Sequence, residues 1–307
     1  MNILLTGSSG MVGRNILEHQ NADDYKILNP TSTELNLLDV EAINNFLKTH
    51  KPDLIIHAAG LVGGIEANIS NPAKFLTDNM LMGINIINAS RNAGIQKFIN
   101  IASSCMYPVN AKNPLTEEQI LDGKLEPTNE GYALAKIAAT KLCDYISNED
   151  SSLKYKTVIP CNIYGKYDNF NPQSSHMIAA VIKKIHDAKS QKKESVDIWG
   201  DGKARREFMY AGDFADFIFY SIKNFEKMPN IMNVGIGHDH SVKDYYISIS
   251  KSLNYEGSFN YEISKPVGMP QKLLDSSRVI KFGWTHKTDL NHGIQYTYEH
   301  FSNKDDR

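Results

Sequence analysis

The stretch Asn2-Ile3-Leu4-Leu5-Thr6-Gly7-Ser8-Ser9-Gly10-Met11-Val12-Gly13 decides the fold of this chain of 307 residues. Its apolar start predicts a buried strand, and helical periodicity resumes at Ile16 and Leu17. The three glycines between them permit a tight turn, close approach of the backbone to a ligand and close helix packing. The helix would then present free N–H groups to a pyrophosphate. We therefore predict a dinucleotide site in this turn, with contacts from Gly7, Ser9, Gly10, Met11, Val12 and Gly13.

Apolar strands and helical patterns alternate outward from this turn without an internal repeat. This order predicts an α/β fold with a doubly wound parallel sheet of the Rossmann type. We place the dinucleotide-binding domain at residues 1–165, with a return segment near 208–235, and a smaller substrate-binding domain mainly at 166–307. The predicted strands are Tyr25–Leu28, Asp53–Ala58, Lys97–Ala102 and Thr157–Ile159, and the predicted helices include Asn79–Ala93 and Thr128–Asn148.

The loops after the second and third strands would complete the cofactor site. The loop at residues 29–33 has no acid to repel a 2′-phosphate and several hydroxyl and amide groups to bond it, which favours NADP(H) and leaves NAD(H) possible. Asp39 could bind the adenine amine or cap a helix. Ala58 and Ala59 are small enough to let the chain pass close to the cofactor, and we interpret His57 as structural.

Three polar residues predict redox chemistry on an oxygen atom. Tyr132 and Lys136 are four residues apart in a helical pattern, so they would share one face, where the ammonium could lower the pKa of the phenol. Ser103 follows a predicted strand and could bond the same substrate oxygen. Because ligands bind at the carboxyl end of such sheets, we expect the three side chains to meet there.

Composition indicates a small-molecule enzyme of the cytoplasm. The chain has 33 basic and 35 acidic residues, with no long run of one sign, so we expect no nucleic-acid or membrane partner. No signal peptide or apolar segment of about 20 residues is present. The three cysteines form neither a disulfide framework nor a metal-binding pattern, so we predict no metal site.

Beyond residue 165 the alternation loosens, and polar loops carry Trp and Arg side chains. Trp199 and Arg206 suit a ligand with a flat base and phosphates, through stacking and bidentate contacts. An ion pair on the surface is the alternative for Arg206.

The glycine turn, His57 to Gly60, Ser103 and the Tyr132/Lys136 pair occur in the order that is typical of the extended short-chain dehydrogenase/reductase family, which this chain resembles. Further motifs resemble the branch that epimerises C3 and C5 of GDP-4-keto-6-deoxy-mannose and then reduces C4 with NADPH. These motifs are Leu61 to Ile65, Ser103 to Pro108, Leu125 to Asn129, Asp168 to Phe170, Ser175-His176 and Arg206 to Phe208.

The resemblance implies a role for each matching residue. Ser103, Tyr132 and Lys136 would serve the reduction, and Cys105 and His176 the epimerisation. Asn162, His176, Tyr132 and Lys136 would also contact the cofactor. Contacts with the GDP-sugar would come from Lys184, Trp199, Arg206 and Lys272, and we expect a homodimer.

The chemistry agrees with this assignment, because a C4 ketone acidifies the C–H bonds at C3 and C5. One base and one acid on opposite sides of the ring could then invert both centres, with Cys105 as the base and His176 as the acid. Two alternatives stay open. The substrate could be a GDP-4-keto-heptose that is reduced with or without epimerisation, or the chain could be a non-catalytic protein that senses dinucleotides.

Overall fold

The computed structural model describes residues 1–171, 174–265 and 267–305. The strands are β1 (Asn2–Thr6), β2 (Lys26–Leu28), β3 (Leu54–His57), β4 (Lys97–Ile101), β5 (Lys154–Pro160), β6 (Asn162–Tyr164), β7 (Ser195–Trp199), β8 (Arg205–Arg206), β9 (Phe208–Tyr210), β10 (Ile231–Val234), β11 (His240–Ser241), β12 (Ser258–Glu262) and β13 (Gln271–Lys272). The α-helices are α1 (Met11–Glu18), α2 (Val40–His50), α3 (Ile65–Ser70), α4 (Pro72–Asn92), α5 (Glu130–Glu149), α6 (Met177–Ser190), α7 (Ala211–Lys223), α8 (Val242–Ser252), α9 (Ser277–Phe282) and α10 (Leu290–Asp305).

Six strands form one sheet in the order β2-β1-β3-β4-β5-β10, and all of its pairings are parallel. Thr6, His57 and Asn100 lie side by side in its register. The chain leaves β1 toward β2 on one side and continues to β3 on the other, so a crevice opens at the carboxyl ends of these strands. The predicted parallel sheet is confirmed.

Apolar side chains cover both faces of this sheet. Ile3 and Leu5 of β1 point into one core, with side chains of α1 and α7, while Leu4 points into a second core, with side chains of α2, α4 and α5. This alternation within one continuous apolar strand is the pattern of a sheet that is buried on both faces. The fold is therefore doubly wound, as predicted.

The sixth strand comes from the second half of the sequence. β10 pairs with β5 from Ile231 to Val234, inside the segment that we expected to return to the first domain. The loop after β4 is tied to this strand, because the Tyr107 hydroxyl donates to Asn233 Oδ1 at 2.6 Å. The domain boundaries remain a prediction.

A third core supports the C-terminal part, where α6, α8 and α10 pack together around Ile182, Ile249 and Ile294. Three small sheets lie beside it, with the orders β11-β8-β13, β12-β7 and β6-β9. Across the described ranges, no helix is both long and apolar enough to cross a membrane.

Candidate active site

A cleft of about 730 Å³ opens at the carboxyl ends of the central strands. Its walls include the glycine turn, the loop after β3, the end of β4, the first turns of α5, and residues near 162 and 176. The lining thus brings together most of the predicted cofactor and reduction residues: Gly7, Ser9, Gly10, Met11, Val12, Gly13, Ala58, Ala59, Ser103, Tyr132, Lys136, Asn162 and His176.

The glycine turn is packed so tightly that the protein itself requires glycine at two positions. Gly7 has φ +72°, and a Cβ there would lie 2.6 Å from the Ala59 nitrogen. At Gly13 a Cβ would lie 2.3 Å from the Gly7 oxygen. Close packing of the turn against the loop after β3 and against α1 therefore sets the shape of this end of the cleft.

The start of α1 can receive an anionic ligand. Gly10 is the N-cap residue and supplies no side-chain cap, so the first N–H groups of the helix remain available. The same cleft extends along Ser32, Asn36 and Leu38 toward the expected position of the ribose and adenine. These features fit a dinucleotide.

The structure adds two details to the loop that would read the ribose and to Asp39 beyond it. Glu34 stands beside it, and its Oε2 atom accepts hydrogen bonds from the Thr31 amide at 2.7 Å and from the Thr31 hydroxyl at 2.9 Å. Pro30 and Ser32 line the cleft, and Glu34 does not. Asp39 caps α2 by accepting from the Ala42 amide at 3.0 Å, and Leu38 lines the cleft in its place. The capping alternative for Asp39 is thus the arrangement in the structure.

Tyr132 and Lys136 lie on the cleft face of α5, with the ammonium 5.7 Å from the centre of the phenol ring. The expected effect on the phenol is wrong for this structure, because burial raises the pKa of Tyr132 and the nearby Ser103 hydroxyl only partly opposes this shift. Lys136 instead donates to the Ile101 oxygen at 3.0 Å, and burial lowers its pKa to about 8. Tyr132 therefore keeps its proton at neutral pH.

Ser103 begins a short 3₁₀ turn, Ser104–Met106, directly after β4. Its Oγ atom accepts from the Cys105 backbone amide at 3.3 Å, and the Ser103 side chain is also in hydrogen-bond contact with the Cys105 thiol. Cys105 is buried, and desolvation raises its pKa, while Ser103 and the charges of Lys272 and Lys136 lower it. These cations are the groups that would favour a thiolate here.

His176 is the N-cap residue of α6 and its side chain is open to the cleft. The surrounding protein nevertheless lowers its pKa by desolvation, which favours the neutral imidazole over the imidazolium. The structure thus places the predicted acid in the wall of the cleft that also contains Asn162.

The predicted sugar-nucleotide residues fall into two groups. Arg206 and Lys272 are partners in the parallel register of β8 and β13, and the charge of Lys272 acts on Cys105. The Arg206 guanidinium donates to the Met269 oxygen at 2.6 Å and to the Val267 oxygen at 2.9 Å. It is therefore not a simple surface ion pair.

Lys184 and Trp199 lie at the β7–β12 sheet. The Lys184 ammonium donates to the Asp197 oxygen at 2.8 Å, and burial lowers its pKa. Trp199 is 37% exposed, with the Lys265 ammonium 5.0 Å from the ring centre. Neither residue lines the cleft described above, and neither do Cys105, Arg206 and Lys272, so the structure does not bring all predicted site residues into one cavity.

Sequence reasoning missed Glu207, which is fully buried beside Arg206. Its carboxylate accepts from the amides of Ile236, Gly237 and Leu274 at 2.6 to 2.9 Å, and burial raises its pKa to about 7. Glu207 thereby joins the segment after β10 to the segment that carries Lys272. The available signal was an acidic residue between Arg206 and the apolar run Phe208 to Tyr210.

Comparison with known proteins extends over the whole chain. The family model "NAD dependent epimerase/dehydratase family" matches residues 3–235. A GDP-L-colitose synthase of Yersinia pseudotuberculosis is 57% identical over 304 residues, which cover 99% of each chain. A GDP-L-fucose synthase of Azorhizobium caulinodans is 45% identical over 299 residues, covering 97% of this chain and 96% of that one. A solved GDP-mannoheptose C4 reductase from Campylobacter jejuni with NADP bound is 30% identical, with a TM-score of 0.87 over 98% of each chain.

Proposed function

The chain belongs to the NAD-dependent epimerase/dehydratase family, and we propose that it is an NADPH-dependent enzyme that epimerises a GDP-4-keto-6-deoxy-mannose-type sugar and reduces its C4 carbonyl. The observation that carries this proposal is the contact between the buried Cys105 thiol and Ser103, a residue of the cleft that also holds Tyr132, Lys136 and the glycine turn. A reductase alone has no use for a thiol at that place. The relatives that make GDP-L-colitose and GDP-L-fucose support the choice of sugar nucleotide.

NADPH supplies the hydride when it is bound. The turn from Gly7 to Gly13 and the N-terminus of α1 would hold its pyrophosphate, and Ala58 and Ala59 allow it to lie close to the end of β3. Ser32 and Asn36 line the cleft with neutral hydroxyl and amide groups, and no carboxylate from residues 29–38 lines it, which favours a 2′-phosphate at this place. The solved relative with NADP bound supports the choice of cofactor.

The reduction of C4 needs a proton for the carbonyl oxygen. Tyr132 is the donor, because burial keeps its phenol protonated, and Ser103 orients the same oxygen. The ammonium of Lys136 lies 5.7 Å from the centre of the phenol ring, where its positive charge would offset part of the cost of the phenolate that the proton transfer leaves behind.

Epimerisation needs a base and an acid on opposite faces of the ring. Cys105 would remove a ring proton as the thiolate and become a thiol, which gives an enolate that is stabilised by the C4 carbonyl. His176 would give its proton to the other face as the imidazolium and be left as the neutral imidazole. Burial favours the neutral forms of both side chains, so the base depends on the cations that act on it, Lys272 and Lys136. These cations lie on different elements, β13 and α5.

Isotope exchange tests the epimerase assignment separately from reduction. The wild-type protein, incubated with the GDP-4-keto-6-deoxy sugar in deuterated water without NADPH, should place deuterium at C3, C5 or both, because enolate formation precedes hydride transfer. Cys105→Ala should stop this exchange while retaining direct C4 reduction through Ser103, Tyr132 and Lys136. A wild-type protein that consumes NADPH but incorporates no deuterium would contradict the proposal.

A simple C4 reductase of a GDP-4-keto-heptose is the second candidate, since a solved GDP-mannoheptose C4 reductase shares the fold over nearly the whole chain. Parallel assays with mannose- and heptose-derived GDP-4-keto sugars separate the two. A higher kcat/KM for the heptose, without deuterium in the ring, would favour this second candidate. If dinucleotide binds but neither sugar causes NADPH oxidation, the chain is a non-catalytic sensor.

We also propose that the enzyme works in the cytoplasm as a homodimer. The three cysteines are all free and buried, as suits a reducing compartment. Helices α4 and α5 pack side by side, and they expose Leu81, Leu134 and Tyr145, which gives an apolar surface that a second copy could cover. Light scattering of the purified protein tests this, and Leu81→Asp should shift a dimer toward the monomer.

A further inference from the structure

Asp168 is a buried carboxyl group in the wall of the cleft with one oxygen atom that has no partner. The residue is 8% exposed, and its Oδ1 atom accepts from the Asn169 amide at 2.8 Å. Its Oδ2 atom is buried and makes no hydrogen bond with any residue that the structure describes. Because a buried polar atom without a hydrogen-bond partner is destabilising, such an atom in a ligand cleft needs an explanation.

Contacts on both sides hold Asp168 in place. The Asn15 amide of α1 donates to the Lys166 oxygen at 3.0 Å, which ties the start of the loop to the helix behind the glycine turn. Farther along, the side-chain amide of Asn169 donates to Ser174 Oγ at 2.8 Å, and the backbone oxygen of Ser174 accepts from the backbone amide of Gly64 at 3.0 Å. The loop therefore bridges the helix α1 and the segment after β3, with Asp168 between them.

A second orphan atom lies in the same wall. Asn68 is 7% exposed and also lines the cleft. Its amide nitrogen donates to the oxygen atoms of Gly63 and Gly64, while its Oδ1 atom has no partner in the described part of the chain. Asp168 on this loop and Asn68 on α3 are thus two buried residues of the cleft wall that each have an oxygen atom without a hydrogen-bond partner. A site that binds a polar ligand is expected to have such atoms.

We propose that Asp168 is a cofactor-binding residue, whose free carboxyl oxygen forms a hydrogen bond with an oxygen atom of the bound dinucleotide. This assignment rests on the proposed function, since the ligand is the dinucleotide of the glycine turn. The contacts that fix the loop to α1 place Asp168 in the same cavity as Gly10 and Gly13, where the pyrophosphate and its flanking riboses would lie.

The carboxyl group would act as a donor. Burial raises the pKa of Asp168 to about 7, and the Asn169 amide only partly opposes this shift. The other titratable groups that line the cleft are Asp78 on α4, Tyr132 and Lys136 on α5, Cys161 after β5, Tyr167 beside Asp168 and His176 at α6, and Arg14 of α1 lies over the Tyr167 ring. None of them is among the causes of the shift. Below about pH 7 the group is protonated and can donate, and above it the resulting carboxylate would repel a phosphate.

The test is a pH series of dinucleotide binding, measured by calorimetry with NADP⁺ and the full-length protein. Wild-type affinity should fall above pH 7, approaching about tenfold per pH unit. Asp168→Asn has the same shape and keeps a donor without titrating, so its affinity should lose this extra dependence and stay near the acidic wild-type value. Asp78→Asn removes another carboxylate of the cleft wall, which is paired with Lys74, and should keep the wild-type slope.

Three results would overturn the assignment. Equal slopes for the wild type and Asp168→Asn would show that another group titrates. A flat wild-type profile with weaker binding by Asp168→Asn at every pH would show that Asp168 accepts the hydrogen bond as a carboxylate, which overturns its role as a donor. Absence of any NADP⁺ binding by the wild type would remove both the proposed function and this contact, whereas the first two results leave the proposed function intact. A flat wild-type profile contradicts the donor role without any substitution, so the proposal stays falsifiable even if a variant folds poorly.

Discussion

The two ends of the active site are built in different ways. At the cofactor end, backbone atoms of Gly7, Gly13 and Ala59 pack against one another at distances that exclude a side chain. At the sugar end, the side chains of Cys105, Arg206 and Lys272 come from distant segments and are held among buried ionisable groups. Close packing sets the shape of the first end, and mutual charge effects set the chemistry of the second.

This difference has a practical meaning. A packed glycine turn has no titratable part, so its shape does not depend on pH. The cations and the thiol at the sugar end shift one another's pKa, so a change at one of them alters the others. Substitutions at the cofactor end should therefore change dinucleotide binding and stability. Substitutions at the sugar end should change the reactivity of the thiol.

The largest effect should come from Tyr132, which lies between the two ends. Tyr132→Phe removes the proton donor but keeps the ring, so the rate of C4 reduction should fall by about 10²–10⁴ while dinucleotide affinity stays within a few fold. Stopped-flow measurement of NADPH oxidation gives the rate of reduction, and calorimetry with NADP⁺ gives the dinucleotide affinity. Near-normal turnover of this variant would contradict the catalytic assignment.

Next in size is the effect of adding a methyl group to the glycine turn. Gly13→Ala forces a Cβ against the backbone of Gly7 and Ser8, and should lower the free energy of unfolding by about 1–3 kcal/mol and weaken NADP⁺ binding. Gly10→Ala is the matched control, because its Cβ meets protein no closer than 3.4 Å. That variant should unfold like the wild type in a urea titration. Equal stability of both variants would show that protein packing does not require the glycine at 13.

The smallest effect concerns the charge next to the thiol. Lys272→Met removes a cation that lowers the pKa of Cys105, so alkylation of Cys105 by iodoacetamide at about pH 8 should slow by about tenfold. Mass spectrometry of the Cys105 peptide follows the reaction in the free protein, apart from any role in sugar binding. Lys184→Met should leave the rate unchanged, because that ammonium is bonded to Asp197. Equal rates for all three proteins would remove Lys272 from the activation of the base.

Local patterns explain what the sequence could predict. The apolar strand before Gly7, and the pairing of Tyr132 with Lys136, depend on residues within a few positions of each other, and both are found as predicted. The pKa of Tyr132 was predicted with the wrong sign, because the phenol's burial depends on segments far away in the sequence. The spacing of Tyr132 and Lys136 predicts where the phenol lies on the helix, but it does not predict how far the phenol is buried.

Long-range contacts explain what the sequence could not predict. Asp39 was compatible with adenine binding or helix capping, and only the backbone of α2 decides for the cap. Asp168 is an unremarkable acid in a polar loop until Asn15 and Gly64 fix that loop over the cleft. Glu207 collects amides from residues about 30 and 67 positions away, a spacing for which no short motif exists.

The pairing of β10 with β5 has a consequence for anyone who shortens this protein. A fragment that ends near residue 165 would contain the glycine turn and the reduction residues, but it would leave the β5 edge from Thr157 to Pro160 without its neighbour. Val158 and Ile159 are fully buried in the intact chain, so the fragment would present a hydrophobic strand edge that can add a strand from another molecule. Self-association of such a fragment, rather than loss of its sequence motifs, would then limit its use as an isolated nucleotide-binding unit.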